Sequence, residues 1–298
     1  MDNSETERML DIVHLEQLKQ WIGRTETRSD VVTATPVAAL AATLDRGDTP
    51  PQPGDALPPL WHWLYFLPVD RQSELGADGH ARRGGFLPPV PLPRRMWAGG
   101  RLQFDHPLRV GEAITRVSRI VDVKRKQGRT GALVFVLMRH EISNAEGVAI
   151  TEEHDIVYRE RPQVNEAPPA PVPAPADFAW RRTIDPDSVF LFRYSALTFN
   201  GHGIHYDRRY ATEAEGYPGL VVHGPLIATL SLDLLRRSLP HANVARFQFR
   251  AVSPLFDGVP FAVCGKPADG GSVQLWAQSS DGALAMDASV DLVDLQDA

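Results

Sequence analysis

The chain has 298 residues, 43% of them hydrophobic, with a formal net charge of −6 and a sequence pI near 5.9. That length and apolar content suffice for one large packed core or two ordinary ones, and the acidic balance excludes nucleic acid as the main partner, because phosphate recognition needs clustered positive charge. A single cysteine, Cys264, excludes an intrachain disulfide and a cysteine-rich metal site.

The opening MDNSETERMLDIVHLEQL is acidic and lacks the basic and apolar regions of a secretion signal. Apolar stretches are broken by charge well before the ~18 residues a membrane span requires. A cytoplasmic protein with no membrane association is expected. PPLWHWLYFLP then offers one or two apolar turns before Pro68, a short helix at most. Next come RRMWAGGRLQF and HPLRVGEAITRVSRI, strand-like stretches, with Lys124 to Lys126 as a solvated strand end. GALVFVLMRHEISNAEGVAITEEHDIVYRE reads as a hairpin turning at Asn144 to Gly147.

Pro and Ala replace the strand pattern in RPQVNEAPPAPVPAPADFAW, Arg161 to Trp180, a composition suited to a semi-rigid extended spacer. It divides the chain into residues 1–160, the linker 161–180, and residues 181–298. The halves echo each other: Pro107, Leu108 and Gly111 are answered by Pro254, Leu255 and Gly258 at the same spacing, and a second hairpin turns at Asp281-Gly282. Cys264, after Phe-Ala-Val, reads as a small buried hydrophobe of a strand. The one strong helix lies in the second half. In HGPLIATLSLDLLRRSLP, Leu226, Leu230 and Leu234 recur every fourth residue beside Ile227 and Leu235, Arg236 and Arg237 suit the final turn, and Pro240 ends it. The expected fold is α+β: two hot dog units in one chain, each an antiparallel sheet wrapped round a helix, the N-terminal helix degenerate.

Two stretches carry chemistry. Gly224 opens the long helix, where its backbone N–H has no intrahelical acceptor and the dipole favours negative charge, and Pro225 supports a helix start there. Alone, such a glycine need only ease the turn. About twenty residues earlier, RYSALTFNGHGIHYDRRYA supplies His205, a base near neutral pH, and Asn200, which carries both an amide donor and a carbonyl acceptor. Asp207 is placed to cap a short helix beginning at Arg208. A base and an oxyanion donor occurring together favour a catalytic loop over a polar one.

YSALTFNGHGIHYDRRYA followed by VVHGPL resembles the MaoC-like, or (R)-specific enoyl-CoA hydratase, family. The likeness is strongest to its double hot dog branch of mesaconyl-C4-CoA hydratases and 3-hydroxyacyl-thioester dehydratases. RRMWAGGRLQF and PLRVGEAI extend it over most of the chain. The family motif Asp-x-Asn-Pro-x-His falls with its histidine on His205, its asparagine position on His202, its proline position on Gly203 and its aspartate position on Asn200. Close relatives tend to carry arginine where Gly203 stands. The resemblance implies reversible addition of water to a 2-enoyl thioester: a hydro-lyase without metal or other cofactor, with His205 as acid/base, Asn200 holding water or the ring, and Gly224 receiving the thioester oxygen. It further implies substrate contacts from Tyr194, His202, His223, Arg94, Arg95 and Trp97. The expected partner is an acyl-CoA thioester or an acyl carrier protein, with Arg94, Arg95 and Arg101 either meeting the carrier's phosphates or lying solvated. Trp61 to Phe66 are expected to form an apolar wall, and a homodimer is one expected assembly. A hot dog thioesterase and an impaired thioester-binding protein are the competing readings.

Overall fold

The structure, a computed structural model, describes residues 15–128, 131–160 and 170–293. The acidic N-terminal stretch lies outside them up to residue 14, as do residues 161–169 of the linker. Ten strands form one antiparallel sheet: β1 (Thr25–Val31), β2 (Arg94–Phe104), β3 (Ala113–Gly128), β4 (Gly131–Asn144), β5 (Gly147–Arg159), β6 (Trp180–Ile184), β7 (Val244–Ala251), β8 (Phe261–Pro267), β9 (Ser272–Ser279) and β10 (Leu284–Leu292). Their spatial order is β1-β3-β4-β5-β2-β7-β10-β9-β8-β6. Read inward from either edge, the two sets of five strands have the same order, as the repeated Pro-Leu-x-x-Gly spacing implies. The paired glycines behave alike: Gly111 and Gly258 both take left-handed φ values, 97° and 71°, in the turns before β3 and β8.

The halves meet where β2 pairs with β7, Gly99 opposite Arg250 through Gln103 opposite Arg246. Here WAGG has a steric purpose, since a Cβ on Gly99 would lie 2.6 Å from the Phe249 carbonyl oxygen. Both hairpins turn at the expected places, with β4 ending at Asn144, β5 starting at Gly147, and Gly282 left-handed at φ 84°. The described end of the linker does not hang free: Leu284 N–H bonds Val172 O at 2.7 Å and Ala174 N–H bonds Gly282 O at 2.9 Å, tying it to the β9–β10 hairpin.

Each first strand is followed by a ten-residue helix, α1 (Ala34–Thr43) after β1 and α2 (Ser188–Leu197) after β6. The fifteen-residue α3 (Gly224–Ser238) is the helix marked by the leucine repeat, with every residue from Leu226 to Leu235 buried. One of these is charged. Asp233 accepts from Arg46 at 2.6 Å, Arg182 at 2.6 Å and Arg237 at 2.7 Å, so arginines from both halves neutralise a buried carboxylate.

Among the described residues no such helix fills the first half. Trp61–Leu64 makes one 3-10 turn, bracketed by Leu60 and Phe66 in left-handed conformations (φ 71° and 56°) that bulky residues rarely adopt. Trp61, Leu64, Tyr65 and Phe66 enter the main core. His62 and Trp63 do something different: His62 Nε2 lies 3.0 Å from Glu152 Oε2, and Trp63 Nε1 donates to Glu152 Oε1 at 2.8 Å. His154 Nε2 also meets Glu152, and across the sheet His140 Nδ1 lies 2.7 Å from Ser118 Oγ. Burial opposes ionisation of Glu152, but the charge and hydrogen bond of His154, followed by those of His62, hold its carboxyl well below the usual range. The space a central helix would occupy therefore holds a paired anion and aromatic rings. Cys264 is fully buried in β8.

Candidate active site

The catalytic-type loop starts at the end of α2. Asp187 caps that helix by accepting from Phe190 N–H at 2.7 Å, and its inner face buries Leu191, Tyr194 and Ser195. Phe199 then turns the chain out through φ 49°. Asn200 N–H bonds Ser195 O at 2.8 Å, and Asn200 Oδ1 accepts from His202 N–H at 3.0 Å, closing a local Asx turn. Residues 203–205 form one 3-10 turn, after which Asp207 Oδ1 accepts from Tyr210 N–H at 3.0 Å, the expected cap. The Tyr210 ring explains Gly203: a Cβ there would sit 2.8 Å from Tyr210 Cδ1, so this loop has no room for a larger residue without moving the tyrosine.

His205 is 7% exposed and fixed on two sides. Its Nδ1–H donates to Val221 O at 2.7 Å, which leaves Nε2 as the unprotonated nitrogen of the neutral ring. Its plane stacks on His223 at 3.7 Å and 18°. His223 is the N-cap residue of α3 and bonds Ser195 Oγ through Nε2 at 2.8 Å, with Tyr194 edge-on at 5.1 Å. The loop histidine is thereby brought against the N-terminal end of the long helix. Burial pushes the His205 imidazole down to about 4, with the Val221 carbonyl opposing, and burial together with neighbouring rings pushes His202 and His223 down as well. All three are neutral at pH 7, the state a general base needs.

Gly224 is the first residue of α3. Nothing lies closer than 4.0 Å to the position of a Cβ on it, and that atom is the Trp97 carbonyl oxygen. Packing alone does not require glycine here. Its N–H belongs to the first turn, where intrahelical acceptors are lacking and the dipole favours an anion. The Trp97 ring packs on His154 at 3.9 Å, Trp63 at 5.1 Å and Phe249 at 5.5 Å, forming an aromatic box beside the helix end.

The remaining expected contacts divide. Arg94 is engaged: its Nε bonds Glu215 Oε2 at 2.9 Å, a further nitrogen meets the Glu215 carbonyl, and its guanidinium lies over Tyr217 at 4.9 Å. Arg101 is bonded to Glu153 at 2.9 Å and Asp155 at 2.7 Å on the outer face. Arg95 lies elsewhere, near enough for its charge to act on Asp78, His80 and His202.

Sequence reasoning passed over Asp78 and His80, in the ADGH turn of the first half. Gly203 N–H bonds Asp78 O at 2.9 Å, and a Cβ on Gly79 would fall 1.7 Å from Gly201 O, so this turn presses directly on the histidine loop. His80 Nδ1 lies 3.1 Å from Asp78 Oδ2, and the His80 ring is 4.3 Å from that of His202. Four imidazoles thus run in series, His80, His202, His205 and His223, at centroid steps of 4.3, 5.4 and 3.7 Å. Ser195, also passed over, ends the series. The only sequence signal was a turn carrying both a carboxylate and an imidazole.

Residues 60–257 match the family model described as hydroxyacyl-thioester dehydratase type 2. The chain is 49% identical over 279 residues to mesaconyl-C(4)-CoA hydratase of Chloroflexus aurantiacus, covering 91% of this chain and 96% of that protein. It is 30% identical to the mitochondrial hydroxyacyl-thioester dehydratase type 2 of Schizosaccharomyces pombe, covering 74% and 80%. A solved double hot dog protein of Mycobacterium tuberculosis superimposes with a TM-score of 0.57 at 14% identity, covering 91% of this chain and 96% of the other. Among the described residues no helix is long and apolar enough to cross a membrane. The fold, the matched length and these relatives together make the chain a double hot dog hydro-lyase, an acyl-thioester hydratase/dehydratase belonging to the hydroxyacyl-thioester dehydratase type 2, MaoC-like family.

Proposed function

We propose that the chain adds water to a 2-enoyl-CoA at a single site per chain, on the seam between the halves, with His205 as the acid/base and Gly224 N–H as the oxyanion donor. The observation that carries this is the stacking of His205, its Nε2 free, on the N-cap residue of the helix that Gly224 opens. In hydration, His205 Nε2 takes a proton from water as the water oxygen bonds C3. The C2–C3 π electrons move toward C1, and negative charge develops on the thioester oxygen, where the Gly224 N–H and the helix dipole stabilise it. Protonation at C2 completes the addition, and dehydration runs the same steps backward.

Asn200 shapes the turn that presents His202 and His205, since its side-chain oxygen is committed to His202 N–H. Tyr194, His202, His223 and Trp97 line the reacting end. Arg95, whose charge reaches His202, is the cation offered to an anionic group of the substrate, whereas Arg94 joins the halves through Glu215. The substrate is of the mesaconyl-C4-CoA type, supported by the 49% identical relative that carries that name. Coenzyme A rather than an acyl carrier protein is the carrier, and the protein works in the cytoplasm as a homodimer.

The test is a panel of mesaconyl-C4-CoA, crotonyl-CoA and their hydrated counterparts, followed by loss of enoyl absorbance and by free thiol. Hydration without thiol release, greatest for the mesaconyl thioester, is expected. Release of free thiol would turn the reading to a thioesterase. No turnover of any thioester would overturn it.

A further inference from the structure

The reaction needs a proton delivered at C2, and His205 has been given only the proton of the attacking water. In the family motif a carboxylate shares the water with the histidine; here Asn200 stands at that position and cannot exchange a proton. A carboxylate–imidazole pair reaches the loop from the other half. Asp78 and His80, 3.1 Å apart, face His202, and one ligating atom of each of the three lies within 4.8 Å of the others. Three such atoms share a point no more than about 2.8 Å from each, the distance of a hydrogen bond to water. The turn that carries Asp78 and His80 is locked to the histidine loop by the Gly203–Asp78 backbone bond and the Gly79–Gly201 contact, so the three side chains hold a fixed relation to His205.

We propose that Asp78, His80 and His202 hold one water as a second proton station, which gives the C2 proton in hydration and takes it in dehydration. The inference rests on the hydratase reading above. Its balance is closed. Hydroxide from the attacking water bonds C3 and its proton goes to His205. The held water passes a proton to C2 as the enolate collapses. The proton on His205 then returns to the station across the His202 ring, which stands edge-on to His205 at 5.4 Å. One water is consumed, and the residues end as they began. His80 and His202 hold the water together with Asp78, whose Oδ2 also fixes the His80 ring through Nδ1.

The experiment uses the full chain with His80→Gln, His80→Ala and Asp78→Asn, assayed for steady-state hydration and for deuterium uptake at C2 of the hydrated product in D2O. The expected result is a kcat lowered about 10²–10³-fold in His80→Gln with KM within about twofold, the range of a lost acid/base group. Deuterium uptake falls in parallel, and added imidazole restores part of the activity of His80→Ala. Asp78→Asn loses about tenfold in kcat. Undiminished kcat and exchange in the His80 variants, a change confined to KM, or a loss that imidazole leaves untouched would each overturn the station while leaving the hydratase reading in place. A wild type that hydrates no thioester would overturn both.

Discussion

The two halves have the same strand order and different middles. In the second, a fifteen-residue helix fills the sheet and its N-terminal end meets His205; in the first, four residues of 3-10 turn and the Glu152 cluster take that place. A hot dog sheet can evidently be filled by an apolar helix or by a buried anion with three partners, but only the helix presents the N–H groups of a first turn. The first half is not idle. Without a long central helix of its own it brings the Trp97 carbonyl beside Gly224 and the Asp78–His80 turn against the histidine loop. The proposed chemistry at the seam thus draws on both copies.

The contrast is broken most sharply at His205. His205→Ala is expected to lower turnover by about 10²–10⁴-fold with the strand content by circular dichroism unchanged, whereas His140→Ala, on the inner face of the first half, leaves the mechanism intact. Measuring kcat for the two side by side checks the division of labour.

Next in size are the buried anions. Asp233→Ala strands arginines from both halves, and Glu152→Ala leaves His62, Trp63 and His154 without their acceptor. Each is expected to cost about 3–5 kcal/mol in denaturant unfolding. The second should also disturb the aromatic box, raising KM.

The histidine series fixes the acid response. An unfolded histidine titrates near 6.5, whereas folded His205 stays neutral down to about 4. Between these values the unfolded chain binds a proton that the folded site does not, so stability is full above about pH 6.5 and falls as pH drops toward 4. His202 and His223 act in the same direction. Melting temperature against pH checks the sign, and the acid limb of kcat/KM should lie near the depressed value rather than near 6.5.

The architecture was legible because repeats and periodicity are local signals: the Pro-Leu-x-x-Gly spacing marked the duplication, and the leucines marked α3. The placing of His205 beside the helix that Gly224 opens, and the cap at Asp207, were legible because one short segment carries both loop and helix start. What escaped was tertiary. Asp78 and His80 precede His202 by more than 120 residues and reach it only through the closed sheet. Glu152 sits in TEEH, where an alternating strand gives no sign that one glutamate faces a core while its neighbour, Glu153, pairs with Arg101 and Arg139 outside. Asp233 was hidden among leucines, and Arg94 gave no hint of its tie to Glu215.

The smallest effect is expected at Asn200. An Asp side chain also accepts from His202 N–H, so Asn200→Asp should keep the turn and the melting temperature to within a few degrees and retain activity. Asn200→Leu removes the acceptor and should cost about 1 kcal/mol with reduced turnover. Thermal melts and kcat for the pair separate a positioning role from a chemical one.

The seam itself is tested most directly by calorimetric titration of the full chain with a tight, unreactive product analogue of the acyl-CoA. One binding site per chain, abolished neither by dilution nor by salt, is the predicted result. Two equivalent sites per chain would contradict a duplicated fold in which only one copy keeps the helix end that the chemistry needs.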